Sequence, residues 1–290
     1  LNADFSLKII DRNYERNDPK YYFPQKYYSY VSPALEHDIL QKVHKLYGWA
    51  ININSVTESN TMFANRVYEL QAIGNLLISN HSVGVEEKFN GVYIVNNSEQ
   101  VKNILESTSQ DEVYKKRIQN IRRVMTGETT FDRLNQVLNA VGIQYSIDNR
   151  KIAVVVKKIT DELKHQFAEQ TYKNRIFIEE NEYNEGTLKD IDMIAFWSPE
   201  YQYGQHYLED LSNGFKYTSC SYITKNSYFE GSSLIEGNEN QYTQHCNKYN
   251  SIFWKKDFDL NELLSLSECF EHENGYSIDH FELIKLNGGK

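Results

Sequence analysis

Cysteine is scarce in this chain: Cys220, Cys246 and Cys269 are odd in number, widely spaced and without a CxxC pair. That argues against a disulfide framework, a zinc ribbon or a dithiol redox motif, and leaves buried or half-buried thiols as the reading. Positive charge is also in deficit, 31 Lys and Arg against 40 Asp and Glu for a net charge of −9. Affinity built on neutralising phosphates along a nucleic acid is therefore not expected. No run of 18 apolar residues exists, and LNADFSL has no basic-then-apolar layout, so neither a membrane span nor a secretory leader is read here. A cytoplasmic protein, or one peripheral at the inner face of the membrane, is the expectation. Internal repeats and low-complexity tracts are missing as well.

What is present fits two globular domains. The 290 residues exceed one usual core, and 40% hydrophobic with 24% charged residues is ordinary for a folded chain. Tyrosine is frequent at 22 residues; such rings stack well on sugars and bases, but most belong to packing. A start without Met, almost directly on a strand-like segment, suggests a piece of a longer protein.

Hydrophobic spacing predicts alternating strands and helices up to about residue 142. Strands are expected at 5–11, 49–54, 76–79 and 91–95, and helices at 36–47, from about 59 or 61 to 73, at 98–109, 111–125 and 131–142. Ser98 is placed to cap its helix, and Gly142 to end the series. Such β/α alternation marks a parallel sheet flanked by helices. A second series follows, with strands at 151–156, 175–180, 192–197, 220–225 and 251–256 and helices after 157, at 205–218 and at 259–266.

In open α/β sheets, ligands bind beyond the carboxyl ends of the strands. The turn SVTESNTMF lies at such a place. Ser59 or Thr61 would cap the next helix, leaving backbone N–H groups of residues 60–63 free for a diphosphate, with Ser59, Asn60, Thr61 and Met62 as the candidate binding residues. Arg66 and Glu69 project from the flank of the stripe Phe63, Val67 and Leu70, suited to a phosphate and a ribose diol. The alternative is a plain Arg66–Glu69 surface pair at i, i+3 spacing.

The segment Arg66-Val67-Tyr68-Glu69, Ala72, Gly74, LLIS and Gly84-Val85-Glu86-Glu87-Lys88-Phe89 resembles the donor-binding half of GT-B glycosyltransferases, closest to the CgeB-like branch of the family-1/4 type. The resemblance covers roughly residues 5–140. It implies a Rossmann-like domain in which Glu69 binds the nucleotide ribose and residues 60–63 receive the diphosphate. The loop carrying Gly84 and Glu86 would approach the sugar. Many relatives carry a glutamate where this chain has Thr61, so donor contacts would differ. No metal is implied at this site.

Residues 143–290 resemble a degenerate, smaller GT-A-like domain of the family-2 type, through FAEQTYKNRIFIEEN and YGQHYLEDL. Such enzymes place aspartates for Mg²⁺ or Mn²⁺ just before the latter segment; here Trp197-Ser198-Pro199-Glu200 stands there, and Glu200 is the one candidate ligand left. His206, Glu209 and Asp210 could form a metal cluster or a plain helix surface, and Asp210 is the general-base candidate. His245-Cys246 beside Tyr249 reads as packing. The expected activity of the parent protein is transfer from a nucleotide-diphosphate sugar, UDP-linked first, to a bacterial surface glycan such as a teichoic acid. A non-catalytic glycan-binding or scaffolding module is the alternative.

Overall fold

The computed structural model describes residues 5–143 and 150–286. Two compact units divide between Val124 and Met125. The first opens with a parallel pair, β1 (Ile9–Asp11) and β2 (Val31–Pro33), separated by 3-10 turns at Pro19–Tyr21 and Gln25–Tyr30. Then come α1 (His37–His44), β3 (Trp49–Asn52), α2 (Arg66–Ala72), β4 (Leu76–Ser79), α3 (Val83–Lys88), β5 (Tyr93–Ile94), α4 (Ser98–Ser107) and α5 (Gln110–Gly127). The strands β3, β4 and β5 form a parallel sheet in that order. Val67 and Leu70 of α2 bury against Leu77, Val85, Phe89 and Val92. The chain leaves α2 through Gly74 at φ 88°, while Asn75 N–H donates to the Leu70 carbonyl at 2.8 Å. That left-handed turn carries no penalty at glycine and returns the chain directly into β4.

Three local expectations give way here. The helix before β4 starts at Arg66, not near residue 60, because residues 53–64 run as an irregular loop. Residues 83–88 are helical, with Ser82 at the extended N-cap position. Asn97, rather than Ser98, caps α4, its side chain accepting the Gln100 N–H at 3.0 Å.

The second unit takes the end of α5 together with α6 (Thr130–Ala140), so the division lies earlier than residue 142. It continues through β6 (Ile152–Val156), α7 (Asp161–Glu169), β7 (Arg175–Glu179), β8 (Met193–Trp197), β9 (Tyr201–Tyr203), α8 (Tyr207–Gly214) and β10 (Tyr222–Thr224). Then follow β11 (Tyr228–Glu230), β12 (Ser233–Ile235), β13 (Gln241–Asn247), β14 (Ser251–Trp254), α9 (Leu260–Ser265), β15 (Cys269–Ser277) and β16 (Leu283–Lys285). Far from being the smaller domain, this unit carries a seven-stranded sheet ordered β13-β15-β10-β14-β8-β6-β7 and a four-stranded sheet ordered β12-β11-β16-β9. In the large sheet β6, β7 and β8 run parallel, β10 and β15 run parallel to each other, and β14 and β13 run against their neighbours.

Every residue of β6 and β8 is buried. Ile152, Val154 and Val156 face one cluster, with Leu163, Tyr207, Leu208 and Leu211; Ala153 and Val155 face the other, with Leu188, Phe196 and Phe253. A polar tie closes the carboxyl ends of β10 and β15. Lys225 is fully buried, and its Nζ donates to the Asp279 backbone carbonyl at 2.9 Å and to Oδ1 at 3.1 Å. A paired charge this deep is costly to break, because the survivor keeps its desolvation penalty. Asp279→Ala is expected to destabilise the second unit by about 3–5 kcal/mol in urea unfolding, whereas the double change Lys225→Met with Asp279→Leu recovers most of that loss.

Candidate functional site

In the first unit, polar residues gather at the carboxyl ends of β3 and β4. Asn52 is fully buried and donates to Asn54 Oδ1 and Ser79 Oγ, each at 3.0 Å. Asn54 Nδ2 also reaches Ser79 Oγ at 3.0 Å, and its backbone N–H donates to Asn80 Oδ1 at 2.7 Å. Asn80 Nδ2 returns to the Asn54 carbonyl at 2.9 Å. Arg66, from the first turn of α2, crosses to this network: Nε donates to Asn52 Oδ1 at 2.7 Å and Nη2 to the Ile53 carbonyl at 2.9 Å. Its Nη1 has no partner among the described residues, and the side chain is exposed. The guanidinium is thus held in one orientation with donors left over.

Arg66 and Glu69 do not form the surface pair their spacing allows. Glu69 is half-buried and faces α1, where burial lowers the His44 imidazole below its usual range and the Glu69 charge opposes that shift. The residues expected to cradle a diphosphate are differently employed. Ser59 Oγ accepts the N–H groups of Thr61 at 3.3 Å and Met62 at 3.1 Å, so two of the amides are already satisfied. This loop docks on α3: Val83 N–H donates to the Thr57 carbonyl and Gly84 N–H to the Ser59 carbonyl. Gly84 is buried there, and a Cβ on it would lie 2.7 Å from the Asn60 carbonyl oxygen. Glycine at this position permits the close backbone approach. Glu86, in the first turn of α3, hydrogen-bonds His81 and accepts the Ser82 N–H at 3.3 Å, and Glu58 lies 3.9 Å from the other His81 nitrogen.

The second unit builds its own polar edge. Lys157 follows β6, Glu180 follows β7, Glu200 follows β8, and Lys248 and Tyr249 precede β14. Lys248 is 4% exposed, with Nζ donating to the Leu264 carbonyl at 2.6 Å and lying 4.3 Å from the centre of the Phe196 ring. Burial lowers its pKa; Glu180 opposes and Lys157 adds to the shift. The Tyr249 phenol is raised, chiefly by burial, with Glu180, Glu268 and Glu200 adding to it and Lys157 working against it. Behind them, the hydroxyls of Tyr203 and Tyr207 both donate to the Tyr249 carbonyl, at 3.2 and 3.1 Å.

Trp197 closes β8 at 1% exposure, stacked on Tyr203 with ring centres 4.3 Å apart and planes 7° from parallel. The donor set therefore does not fit Mg²⁺ or Mn²⁺: an aromatic stack stands where hard oxygen ligands would converge, with exposed Glu200 alone beside it. Among the described residues, no three His, Cys, Asp or Glu side chains group as a metal site. His206 Nδ1 and Glu209 Oε2 do meet, at 3.2 Å. Asp210, 6% exposed on α8, instead exerts its charge on Tyr217, while Glu200 acts on Tyr249. Cys246 lies in the core with Sγ 3.3 Å from Ser251 Oγ.

The sequence reading missed the Asn52–Asn54–Ser79–Asn80 network. Its signal is the alternation in ININ, which puts both asparagines on one side of a strand. No family model matches the chain, and no curated protein matches it significantly.

Two expectations are directly measurable. Gly84→Ala forces a methyl group onto the Asn60 backbone and should lower the stability of the first unit by about 1–3 kcal/mol in thermal or urea unfolding. Burial pushes the Cys246 thiol up to about 12 and also raises Cys220, while Cys269 is exposed. A colorimetric disulfide reagent at about pH 8 should thus react quickly with Cys269 alone, and with all three thiols after denaturation.

Proposed function

We propose that the chain is the donor-binding part of a nucleotide-sugar-dependent glycosyltransferase serving a bacterial surface glycan. The observation that carries this reading is the fixed Arg66 guanidinium at the carboxyl ends of parallel strands β3 and β4, with Nη1 directed to no protein partner. Parallel strands leave their ligand crevice at that end, and a planar fork of N–H donors matches phosphate oxygens. The diphosphate of a UDP-sugar would lie against Arg66, and Glu69 would take the ribose diol after rotating from its His44-facing position. Ser59, Asn60, Thr61 and Met62 form the wall of this site, and Gly84 and Glu86 hold that wall in place.

The reaction is glycosyl transfer from the donor's anomeric carbon to an acceptor hydroxyl, with the nucleoside diphosphate leaving. Arg66 would stabilise the charge that develops on the departing diphosphate, a task that needs no metal. The strand order of the second unit supports a GT-A-like ancestry for it. One neighbour of that sheet's central strands, β14, runs antiparallel between β8 and β10.

A second reading is favoured by Trp197. With that side chain stacked in the core at the end of β8, the second unit would serve as a binding or scaffolding module, and Asp210 would act through packing.

Calorimetric titration of UDP, UDP-glucose and UDP-N-acetylglucosamine into the wild type and Glu69→Gln proteins tests the first reading. Wild type is expected to bind at least one of them, and Glu69→Gln to bind it about tenfold or more weakly through the loss of a charged acceptor. Equal binding by both proteins removes Glu69 from the site, and no binding to any nucleotide leaves the module reading.

A further inference from the structure

The second unit carries a concave surface that the transferase reading does not use. Strands β13 and β15 pair regularly from Gln241↔Ser277 to Thr243↔Gly275, then jump to His245↔Glu271. The extra residues on β15 bulge outward, and Asn274 takes a left-handed φ of 64°. Beneath them the Tyr222 hydroxyl donates to the carbonyls of Thr243 at 3.2 Å and His272 at 3.0 Å. Gly275 is obligatory, since a Cβ there would lie 2.0 Å from Tyr222 Cζ. Asn274 is fixed in turn, its Nδ2 donating to the Ser219 carbonyl and to Ser221 Oγ, each at 3.2 Å. A bulge secured this way is a built feature of the sheet edge.

Beside it lies a shallow, open hollow of about 520 Å³ whose lining includes Asn238, Tyr242, Gln244, His245 and Glu271. The side chains of Asn238, Gln244 and Glu271 have no hydrogen-bond or ion-pair partner among the described residues. Tyr242 is 65% exposed, yet its ring is braced edge-on by Tyr276, with centres 5.3 Å apart at 85°. Amides and a carboxylate supply paired donors and acceptors for vicinal hydroxyls, and the ring offers a flat apolar face. No Lys or Arg lines the hollow and Glu271 does, which disfavours an anionic ligand there.

We propose that this hollow binds a neutral saccharide, with the Tyr242 ring against the C–H face of one sugar and Gln244 and Glu271 on its hydroxyls. The site is independent of the nucleotide crevice in the first unit.

The test is an amide ¹H–¹⁵N NMR titration of the full chain with cellotetraose, maltotetraose and chitotetraose, each up to about 10 mM, well above a millimolar Kd. At least one should shift the amides of residues 241–245 and 271–275. Tyr242→Ala should weaken that saccharide about tenfold and Gln244→Ala about three- to tenfold. Both residues are exposed, so the variants keep the fold, which an unchanged thermal midpoint checks. Absence of these shifts with all three saccharides, or shifts that survive Tyr242→Ala, overturns the proposal. UDP binding serves as the separate readout of the first unit, so the two ideas fail independently.

Discussion

Strand β6 sets the constraint from which the second unit follows. It is buried on both faces, so each side chain must be apolar, and each backbone N–H and C=O must find its partner in β7 or β8. The sequence IAVVV meets the first demand with β-branched residues suited to a pleated surface. Parallel pairing on both sides meets the second. Once these three strands are aligned, Lys157, Glu180 and the Ser198–Glu200 turn must emerge at the same edge. The position of the charged groups is thus a consequence of a wholly apolar, wholly buried strand.

Both units then face the same problem, polar groups that the fold places where water is scarce. The first unit solves it with neutral side chains: Asn52, Asn54, Ser79 and Asn80 satisfy one another, and each bond recovers part of a desolvation cost of roughly 1–3 kcal/mol per group. The second uses a buried ion pair, Lys225 with Asp279, and a buried cation, Lys248, whose ammonium rests on a backbone carbonyl and the Phe196 face. The neutral solution leaves the Arg66 guanidinium oriented by Asn52 and the Ile53 carbonyl with no carboxylate paired to it among the described residues, the feature on which the proposed donor site rests.

The sequence announced its alternating elements wherever the apolar pattern was strong. IAVVV, MIAFW and LLIS are strands within a residue of their expected limits, and α7 and α9 fall inside their expected windows. The pattern failed at residues 53–64, where capping residues without a following apolar stripe produce a loop held by Ser59 and by α3. It failed again beyond residue 226, where β11 and β12 form a short hairpin of three-residue strands, β16 returns from far along the chain to β11 and β9, and β13 and β15 pair through mostly polar sequence such as QYTQHCN. Half-exposed strands of that kind owe their state to partners, and a single sequence does not show partners. The ININ segment inverts the usual rule: Asn52 and Asn54 are buried while Ile51 and Ile53 are 50% and 70% exposed. Periodicity identified the strand and could not say which set faces inward.

The same energetics bear on how the two units would share one reaction. A carboxylate at position 197 would have to ionise at 1% exposure among Tyr203, Tyr207 and Phe167, at a cost of several kcal/mol unless a cation answered it. The indole instead gains the stacking energy and adds to the core. A metal site and this aromatic stack are therefore alternatives for the end of β8, and the chain has the stack. On the proposed reading, chemistry falls to the first unit, where Arg66 can meet a diphosphate without a metal. On the same reading the second unit, whose large sheet ends in the polar strand β13, would hold what the reaction acts upon.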